Sequence, residues 1–381
     1  MLYDGAMSED EIDDESAASP EGDAPPPRHN PDLLGHESTE STLLAAYNSG
    51  RLPHAWLIAG PQGVGKATLA FRFARFLFAQ GESGVGGGGL FGPEAAPKPQ
   101  SLAVSPEHPA FRLVAGGGHP DLLVVERGYD FKRKKFRSEI VVDDTRAIGG
   151  FLHLTASQGG YRVVIVDTAD DMNRNSANAL LKVLEEPPKQ AVLLLLSESP
   201  GRLLPTIRSR CRLIHVNKLP HQAVLAAISR YAPEVSAADA AALTALAEGS
   251  IGRALALAAG GGIEIQRGLY RLLGEIPAMD GESLHVFAEQ LTRGEGDGFR
   301  ILSELLPNAV AAMVRLTLGR PDSTPGAERA TLARLAARAP LAQWVEVWRK
   351  ICHLFAAAER IELDRKQTVL SAFWAVEEAA R

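Results

Sequence analysis

The chain has 381 residues, of which 45% are hydrophobic and 23% charged, an ordinary composition that is long enough for two or three domains. The net charge is −6, but residues 1–30 contain nine acidic residues and one basic residue, so the remainder is close to neutral. A near-neutral body does not by itself demand a nucleic acid or a membrane as its partner.

Cysteine content and the apolar pattern limit the cellular setting. Two cysteines are too few for a disulfide framework or a four-cysteine zinc site, so we expect a reducing cytoplasm. The longest apolar run, at 191–196, has the length of a strand, and the N-terminus lacks a basic segment followed by an apolar core. We therefore expect neither a membrane span nor a secretory signal.

The first 218 residues predict a tail and an α/β domain. Residues 1–30 combine acidic clusters with prolines and few large apolar residues, which predicts a disordered tail. Residues 31–218 alternate apolar runs with helical patterns, as in a parallel sheet covered by helices. Strands are expected at 55–59, 121–126, 139–142, 161–166 and 191–197, and helices at 66–79, at about 143–156 from Asp143 or Asp144, and from Asn173 or Asn175 to about 186.

Two further stretches complete the organisation. Residues 81–120 contain ten glycines and six prolines, so we expect a flexible insertion without a packed element. After residue 218 the pattern is helical, with a small unit at 219–262 and a second helical block at 263–381. The small unit should contain three helices, at 221–231, 237–248 and 250–259.

The segment Gly-Pro-Gln-Gly-Val-Gly-Lys at 60–66 follows a predicted strand and opens a helix, which is the context of a phosphate-binding loop. Gly60, Gly63 and Gly65 let backbone N–H groups point toward a phosphate. Lys66 is then placed to reach the terminal phosphates at the positive end of the helix.

Hydrolysis needs two groups that this sequence lacks. Ala67 stands where a Ser or Thr hydroxyl binds Mg²⁺, and Thr68 lies one residue late, about 100° around the helix. Asp167 follows its strand as a metal-site carboxylate should, but Thr168 replaces the glutamate that many ATPases use to orient water. We expect weak or vestigial nucleotide binding and little hydrolysis by this chain alone.

An arginine cluster, Arg208-Ser209-Arg210, precedes Cys211 beyond the predicted sheet. An exposed arginine on a rigid turn can enter the site of a neighbouring subunit and stabilise phosphate charge. Charge alone favours the alternative, that these are solvated surface arginines.

Three motifs resemble those of one family. They are Leu-Pro-His-Ala-Trp-Leu at 52–57, Asn-Ala-Leu-Leu-Lys-Val-Leu-Glu-Glu-Pro-Pro at 178–188 and Ser-Arg-Cys at 209–211. Together they resemble the bacterial clamp-loader subunits of the AAA+ class, which belong to DNA polymerase III. Within that family, Ala67 and Thr168 resemble the delta-prime branch rather than the ATP-hydrolysing gamma/tau branch.

The resemblance implies a RecA-like AAA+ P-loop domain, a helical lid and a C-terminal helical collar that serves oligomerisation. It implies that Arg210 acts in trans as an arginine finger, that no cofactor is required and that ATP is bound weakly if at all. The sequence departs from the family twice. The cysteine-ligated zinc module is missing, so no zinc is expected, and Gly252 occupies the position of the lid arginine, with Arg253 one residue late.

The resemblance also implies partners: gamma/tau and delta subunits in a heteropentamer that loads the sliding clamp onto primed DNA, within a DNA-directed DNA polymerase holoenzyme. An active gamma/tau-like motor ATPase is the alternative, which Ala67 and Thr168 disfavour. A small-molecule P-loop kinase is disfavoured by the helical blocks. The run 131–137, with five cations, could contact DNA, but we favour a solvated hairpin because one short patch on a near-neutral body binds DNA poorly.

Overall fold

The computed structural model describes residues 25–84, 98–130, 135–157, 160–293, 297–320, 326–361 and 363–381. A five-stranded parallel sheet with helices on both faces comes first, and helices alone follow it. This architecture confirms the expected combination of an α/β P-loop domain with all-α units.

The sheet has the strand order β2-β5-β6-β1-β7, and every neighbouring pair is parallel. The strands are β1 (Ala55–Ala59), β2 (Leu122–Val125), β5 (Arg162–Val166), β6 (Ala191–Ser197) and β7 (Arg212–His215), and a separate antiparallel hairpin consists of β3 (Tyr129–Asp130) and β4 (Lys135–Phe136). The central strands are buried throughout because helices cover both faces of the sheet. Alternate residues of each strand enter two separate apolar clusters, one on each face.

In the described residues, six α-helices of the first part of the chain pack around the sheet or beside it, and a seventh packs with the later helices. The six that lie before the last strand are α1 (Glu37–Asn48), α2 (Lys66–Gly84), α3 (Pro109–Ala115), α4 (Val142–His153), α5 (Arg174–Glu185) and α6 (Pro205–Arg208), and α7 (His221–Tyr231) follows it. Asn173 caps α5 by accepting from two backbone N–H groups, at 3.0 Å each, as the sequence predicts. Because parallel strands end at one edge, the loops after β1, β5 and β6 meet there.

The Gly- and Pro-rich stretch at 81–120 contains a packed element, contrary to the expectation. Residues 85–97 lie outside the described residues, but α3 buries Ala110, Phe111 and Val114, and Leu102 is also buried. His108 caps α3 and Pro109 occupies its first turn, where a proline costs no hydrogen bond. The composition of the stretch was therefore misleading, because Pro109 begins a helix instead of preventing one.

Two other boundaries differ from the sequence prediction. Residues 139–142 do not form a strand of the sheet: Ile140 makes one isolated bridge with Met172, and Val142 already begins α4. The predicted tail reaches too far, because residues 25–30 lie against the domain. The guanidinium of buried Arg75 donates to the carbonyls of Arg28 and Asn30. Residues 1–24 lie outside the described residues.

Beyond α7 the chain continues with α8 (Ala237–Ala247), α9 (Ile251–Ala259), α10 (Gly262–Glu275), α11 (Gly281–Thr292), α12 (Gly298–Thr317), α13 (Gly326–Ala336), α14 (Leu341–Ile361) and α15 (Arg365–Ala380). One contiguous apolar cluster extends from Leu219 to Ala380, so the predicted lid and collar share a core. None of the helices in the described residues combines the length and apolar content that crossing a membrane requires.

Candidate functional site

The loop at 60–66 connects buried β1 to α2 and depends on glycine at three positions. Gly63 and Gly65 have φ values of +70° and +106°, which residues with a side chain rarely adopt. A Cβ at Gly60 would lie 2.1 Å from the carbonyl oxygen of Val216, because β7 continues alongside the loop. The backbone of this loop therefore requires glycine at positions 60, 63 and 65.

Lys66 is held inside this loop. Its side chain is buried, and Nζ donates to the carbonyls of Gly60 (2.9 Å) and Pro61 (2.7 Å). Burial lowers the pKa of Lys66, while the carboxylates of Glu198 and Asp167 oppose that shift. The ammonium group of Lys66 is thus bound to the loop and lies near the carboxylates of Glu198 and Asp167.

A cavity of about 470 Å³ collects most of the residues that the sequence proposes for a nucleotide site. Gly63, Gly65, Lys66, Ala67, Thr68, Asp167 and Thr168 all line it, and Gly60 lies just before them in the loop. The methyl group of Ala67 supplies no metal ligand at its position. The hydroxyl of Thr168 is too weak a base to activate water.

The carboxylate of Asp167 lies at the carboxyl end of β5, on the Lys66 side of the cavity. Burial raises the pKa of Asp167, and the nearby ammonium of Lys66 opposes the increase. Asp167 is only partly buried, whereas the nearby Lys66 is buried. Beside Asp167 in the cavity, Ala67 offers a methyl group and Thr168 a neutral hydroxyl.

Sequence reasoning missed two carboxylates near this edge. Glu198 follows β6 and lines the cavity. Asp170 fixes the same loop by accepting from the hydroxyl of Ser197 (3.1 Å) and the backbone N–H groups of Glu198 (2.7 Å) and Ser199 (3.2 Å). The signal that could have identified them is their place after buried strands, Glu198 directly after β6 and Asp170 four residues after β5.

The N-terminal segment forms another wall of the cavity that the sequence did not predict. Residues from Pro25 to Leu34 contribute to the lining, and Asp32 pairs with Arg230 at the end of α7. The ring of His36, which is buried, lies 2.6 Å from the carbonyl oxygen of Val64. The cavity is therefore closed by segments from both ends of the domain.

The start of α9 packs directly on the phosphate-binding loop. The hydroxyl of Ser250 donates to the carbonyl of Gln62 (2.9 Å), and the N–H of Gly252 donates to the carbonyl of Gly63 (2.8 Å). A Cβ at Gly252 would come within 3.0 Å of the Gly63 Cα. An arginine at this position would therefore have to push the two backbones apart.

Arg253 does not replace the missing lid arginine. Its Nε lies 3.2 Å from the Glu304 carboxylate on α12, and its side chain lines a smaller cavity of about 200 Å³ rather than the one that contains Lys66. The one-residue shift directs this guanidinium toward the collar.

Arg210 lies apart from the cavity, after the short helix α6. Its side chain is 35% exposed, Nη2 lies 2.8 Å from Glu185 Oε1, and Nη1 donates to the Thr206 carbonyl at 3.0 Å. The neighbouring Cys211 is different, because burial raises the pKa of its thiol to about 12. Both side chains of the turn are thus half-buried, and the Cys211 thiol stays protonated at neutral pH.

The basic run at 131–137 is described only in part, since residues 131–134 lie outside the described residues. Tyr129 pairs with Phe136 across β3 and β4, and both rings are exposed. This pairing agrees with the hairpin interpretation of the run.

The chain is similar to subunits of bacterial DNA polymerase III. Residues 96–220, about a third of the chain, match the family model described as "DNA polymerase III, delta subunit". The delta-prime subunit of Pseudomonas aeruginosa is 41% identical over 158 residues, which cover 42% of this chain and 41% of the relative. The delta-prime subunit of Escherichia coli is 34% identical over 245 residues, covering 64% of this chain and 66% of the relative.

Two matches lie further away. The gamma/tau subunit of Mycobacterium bovis is 31% identical over 203 residues, covering 52% of this chain and 30% of the relative. The crystal structure of a DNA polymerase III gamma-subunit-related protein of Thermotoga maritima aligns with 20% identity and a TM-score of 0.42. The alignment includes 89% of this chain and 100% of that protein. The matched regions thus span less than two thirds of the relatives' own lengths in each of the three curated cases.

Proposed function

We propose that this chain, a relative of the delta-prime subunits of bacterial DNA polymerase III, is a clamp-loader subunit that does not hydrolyse ATP and completes a neighbouring subunit's ATP site with Arg210. The observation that carries the proposal is the contrast within one cavity: a well-formed phosphate loop and Lys66 face Ala67 and Thr168.

The loss of hydrolysis follows from what each missing group would do. Without a hydroxyl at position 67, Mg²⁺ loses the ligand that fixes it against the terminal phosphates. Without a carboxylate at position 168, the attacking water lacks the group that orients and activates it. The loop amides and Lys66 need neither group, so weak ATP binding can persist as a vestige.

The lid supports the same conclusion. Gly252 brings the lid backbone into contact with the phosphate-binding loop, and Arg253 is engaged with Glu304. No lid arginine among the described residues therefore faces the phosphates in the main cavity. Three separate parts of an ATPase, from the loop, the strand end and the lid, are defective in this chain.

The role of Arg210 in trans is supported by its position at the surface, on the turn that follows the short helix α6, with its side chain 35% exposed. A guanidinium offers five N–H donors in a plane that matches phosphate oxygens. Because the side chain lies outside its own cavity, it can serve only a site on another chain.

The proposed partners are the gamma/tau and delta subunits in a heteropentamer, with the sliding clamp and primed DNA reached through that complex. The helical region from α10 to α15 supplies the collar through which subunits associate. Its setting is the cytoplasm, in agreement with two free cysteines. Nothing in the proposed role calls for zinc.

An active gamma/tau-like motor remains the competing function. It is favoured by the 31% identity to a gamma/tau subunit and by the presence of Lys66 and Asp167 in one cavity. The two functions differ in what the isolated chain does with ATP.

The test is the ATPase activity of the purified full-length chain, with and without primed DNA. We expect no turnover above background, and no change in Lys66→Ala or in the control Lys182→Ala, which removes an exposed lysine outside the cavity. Turnover that disappears in Lys66→Ala alone would establish the motor function instead. Reconstitution with gamma/tau and delta, followed by DNA-stimulated ATPase with and without this chain, then tests its contribution to the complex.

A further inference from the structure

An ion pair joins two motifs that are far apart in the sequence. Glu185 is the last residue of α5, within the Leu-Glu-Glu-Pro-Pro run, and Arg210 follows α6. Glu185 Oε1 lies 2.8 Å from Arg210 Nη2, and the two side chains are 52% and 35% exposed. The pair is therefore at the surface, where a partner could reach the guanidinium.

Both ends of the pair stand on rigid backbone. Leu184, which precedes Glu185, and Ile207, in α6, are buried in the same apolar cluster beneath the sheet. The backbone N–H of Arg210 donates to the Ile207 carbonyl at 3.1 Å, which fixes the turn from which the side chain leaves. The distance between the two side-chain origins is thus set by the core rather than by a mobile loop.

The contacts leave the guanidinium able to bind a phosphate. One contact is with Glu185 through Nη2, and the other is with the Thr206 carbonyl through Nη1 at 3.0 Å. Of the five N–H donors of an arginine, about three remain for a ligand. The Glu185 carboxylate on one terminal nitrogen and the Thr206 carbonyl on the other restrict the rotation of the guanidinium plane but leave some of its N–H donors free for a ligand.

We infer that Glu185 is a positioning residue that holds the Arg210 guanidinium in the orientation in which it enters the neighbouring ATP site. This inference rests on the proposed trans role of Arg210. It assigns a function to the carboxylate of the Leu-Glu-Glu-Pro-Pro run, which lies outside the nucleotide cavity of its own chain.

The exposure of the pair limits the expected effect. An exposed ion pair favours one arrangement over its alternatives by a factor of up to about five. Removing Glu185 should therefore reduce the rate at the one served site by about two- to fivefold, because the guanidinium spends less time in the productive orientation. Removing the guanidinium itself should have a much larger effect.

The next residue provides a matched control. Glu186 is exposed at the same helix end and makes no ion pair or side-chain hydrogen bond among the described residues. Glu185→Ala and Glu186→Ala remove the same charge from adjacent positions, so general electrostatic effects on the complex should be similar. Only Glu185→Ala removes the contact with Arg210.

The experiment measures DNA-stimulated ATPase in complexes reconstituted with gamma/tau and delta, with assembly checked by gel filtration. The chains are wild type, Glu185→Ala, Glu186→Ala, Arg210→Ala and the double variant Glu185→Ala/Arg210→Ala. We expect a reduction in Glu185→Ala, none in Glu186→Ala, and a double variant that equals Arg210→Ala. The last result is the one that a merely structural role would not produce, because a structural defect would add to the loss of the arginine.

Three outcomes would overturn the inference. An increase in ATPase in Glu185→Ala would show that the carboxylate restrains the arginine instead of positioning it. A further decrease in the double variant, or equal effects of Glu185→Ala and Glu186→Ala, would show an action independent of Arg210. If Arg210→Ala itself has no effect, the proposed trans function fails, and this result is distinct from a failure of Glu185 alone.

Discussion

The cavity around Lys66 and the turn that carries Arg210 each present a cation, but their surroundings differ. In the cavity, Lys66 is buried and donates to its own loop, and the lid and the N-terminal segment close over it. At the turn, Arg210 is exposed and held by one carboxylate and one carbonyl. A cation enclosed by its own chain serves structure or weak binding, whereas an exposed and oriented cation can serve another chain.

The two regions also differ in how much a substitution should destabilise the fold. Beside the cavity, the backbone packs so closely at Gly60 and Gly252 that a side chain at either position would meet neighbouring backbone atoms. The turn presents side chains on a supporting core, so that substitutions there should leave the fold intact. The two regions can therefore be separated by mutation: one affects stability and the other affects the activity of a partner.

The largest expected effect is at Arg210. In a complex with gamma/tau and delta, Arg210→Ala should leave assembly intact but lower the rate at the served site by about 10³- to 10⁵-fold, the usual contribution of an arginine finger. Since this chain would serve one of several sites, total ATPase and clamp loading should fall only in part. Arg210→Lys should restore little, because a point charge lacks the planar donor arrangement.

Complexes that carry Arg210→Ala, shown by gel filtration to be assembled, provide the decisive measurement. Wild-type rates of ATP hydrolysis and clamp loading in those complexes would place Arg210 among ordinary surface residues.

The second effect concerns the stability of the closed region. Gly60→Ala would place a Cβ 2.1 Å from a backbone oxygen of Val216, so we expect a loss of about 1–3 kcal/mol in the free energy of unfolding. Gly150→Ala is the matched control, because a Cβ there meets nothing within 4 Å and alanine favours the helix by up to about 1 kcal/mol. Urea unfolding of the two variants measures both changes, and equal stabilities would contradict the close approach of β7 to the loop.

The smallest effect concerns the attachment of the lid beside the cavity. Lys218 Nζ donates to Glu248 Oε2 at 2.8 Å, and this hydrogen bond holds the pKa of Glu248 below its usual value of 4.5. Because the folded pKa is lowered, the stabilisation is complete above the unfolded pKa and is lost as pH falls through the folded pKa. Both side chains are about half exposed, so the contribution should be below about 1 kcal/mol.

Urea unfolding of wild type and Lys218→Ala at pH 7 and at pH 3 measures this dependence. The free energy of unfolding should be lower in Lys218→Ala than in wild type at pH 7, and this difference should be smaller at pH 3. The control Lys350→Ala, which removes an exposed lysine, should not differ from wild type at either pH. A difference that grows on acidification would contradict the assignment.

Local patterns in the sequence predicted much of the fold and part of the site. The bounds of β1, β6 and α7 agree with the predicted ranges, because buried strands and amphipathic helices leave a period in the sequence. The glycine-rich loop after β1 and the alanine at position 67 could be identified from the sequence for the same reason, since they depend on consecutive residues. Helix α3 was missed because it is short, begins with Pro109 and lies in a stretch rich in glycine and proline, which obscures its buried face.

What the sequence by itself determined is the set of chemical groups: glycines and a lysine in a loop after a strand, an alanine after that lysine, a threonine after Asp167, and an arginine after the last predicted strand. Only the tertiary structure decided where those groups act. It placed Gly252 against Gly63, directed Arg253 toward Glu304, and brought Glu185 to Arg210. These contacts join segments distant in the chain, and the packing of whole helices on the sheet sets their distances, which a local periodicity does not encode.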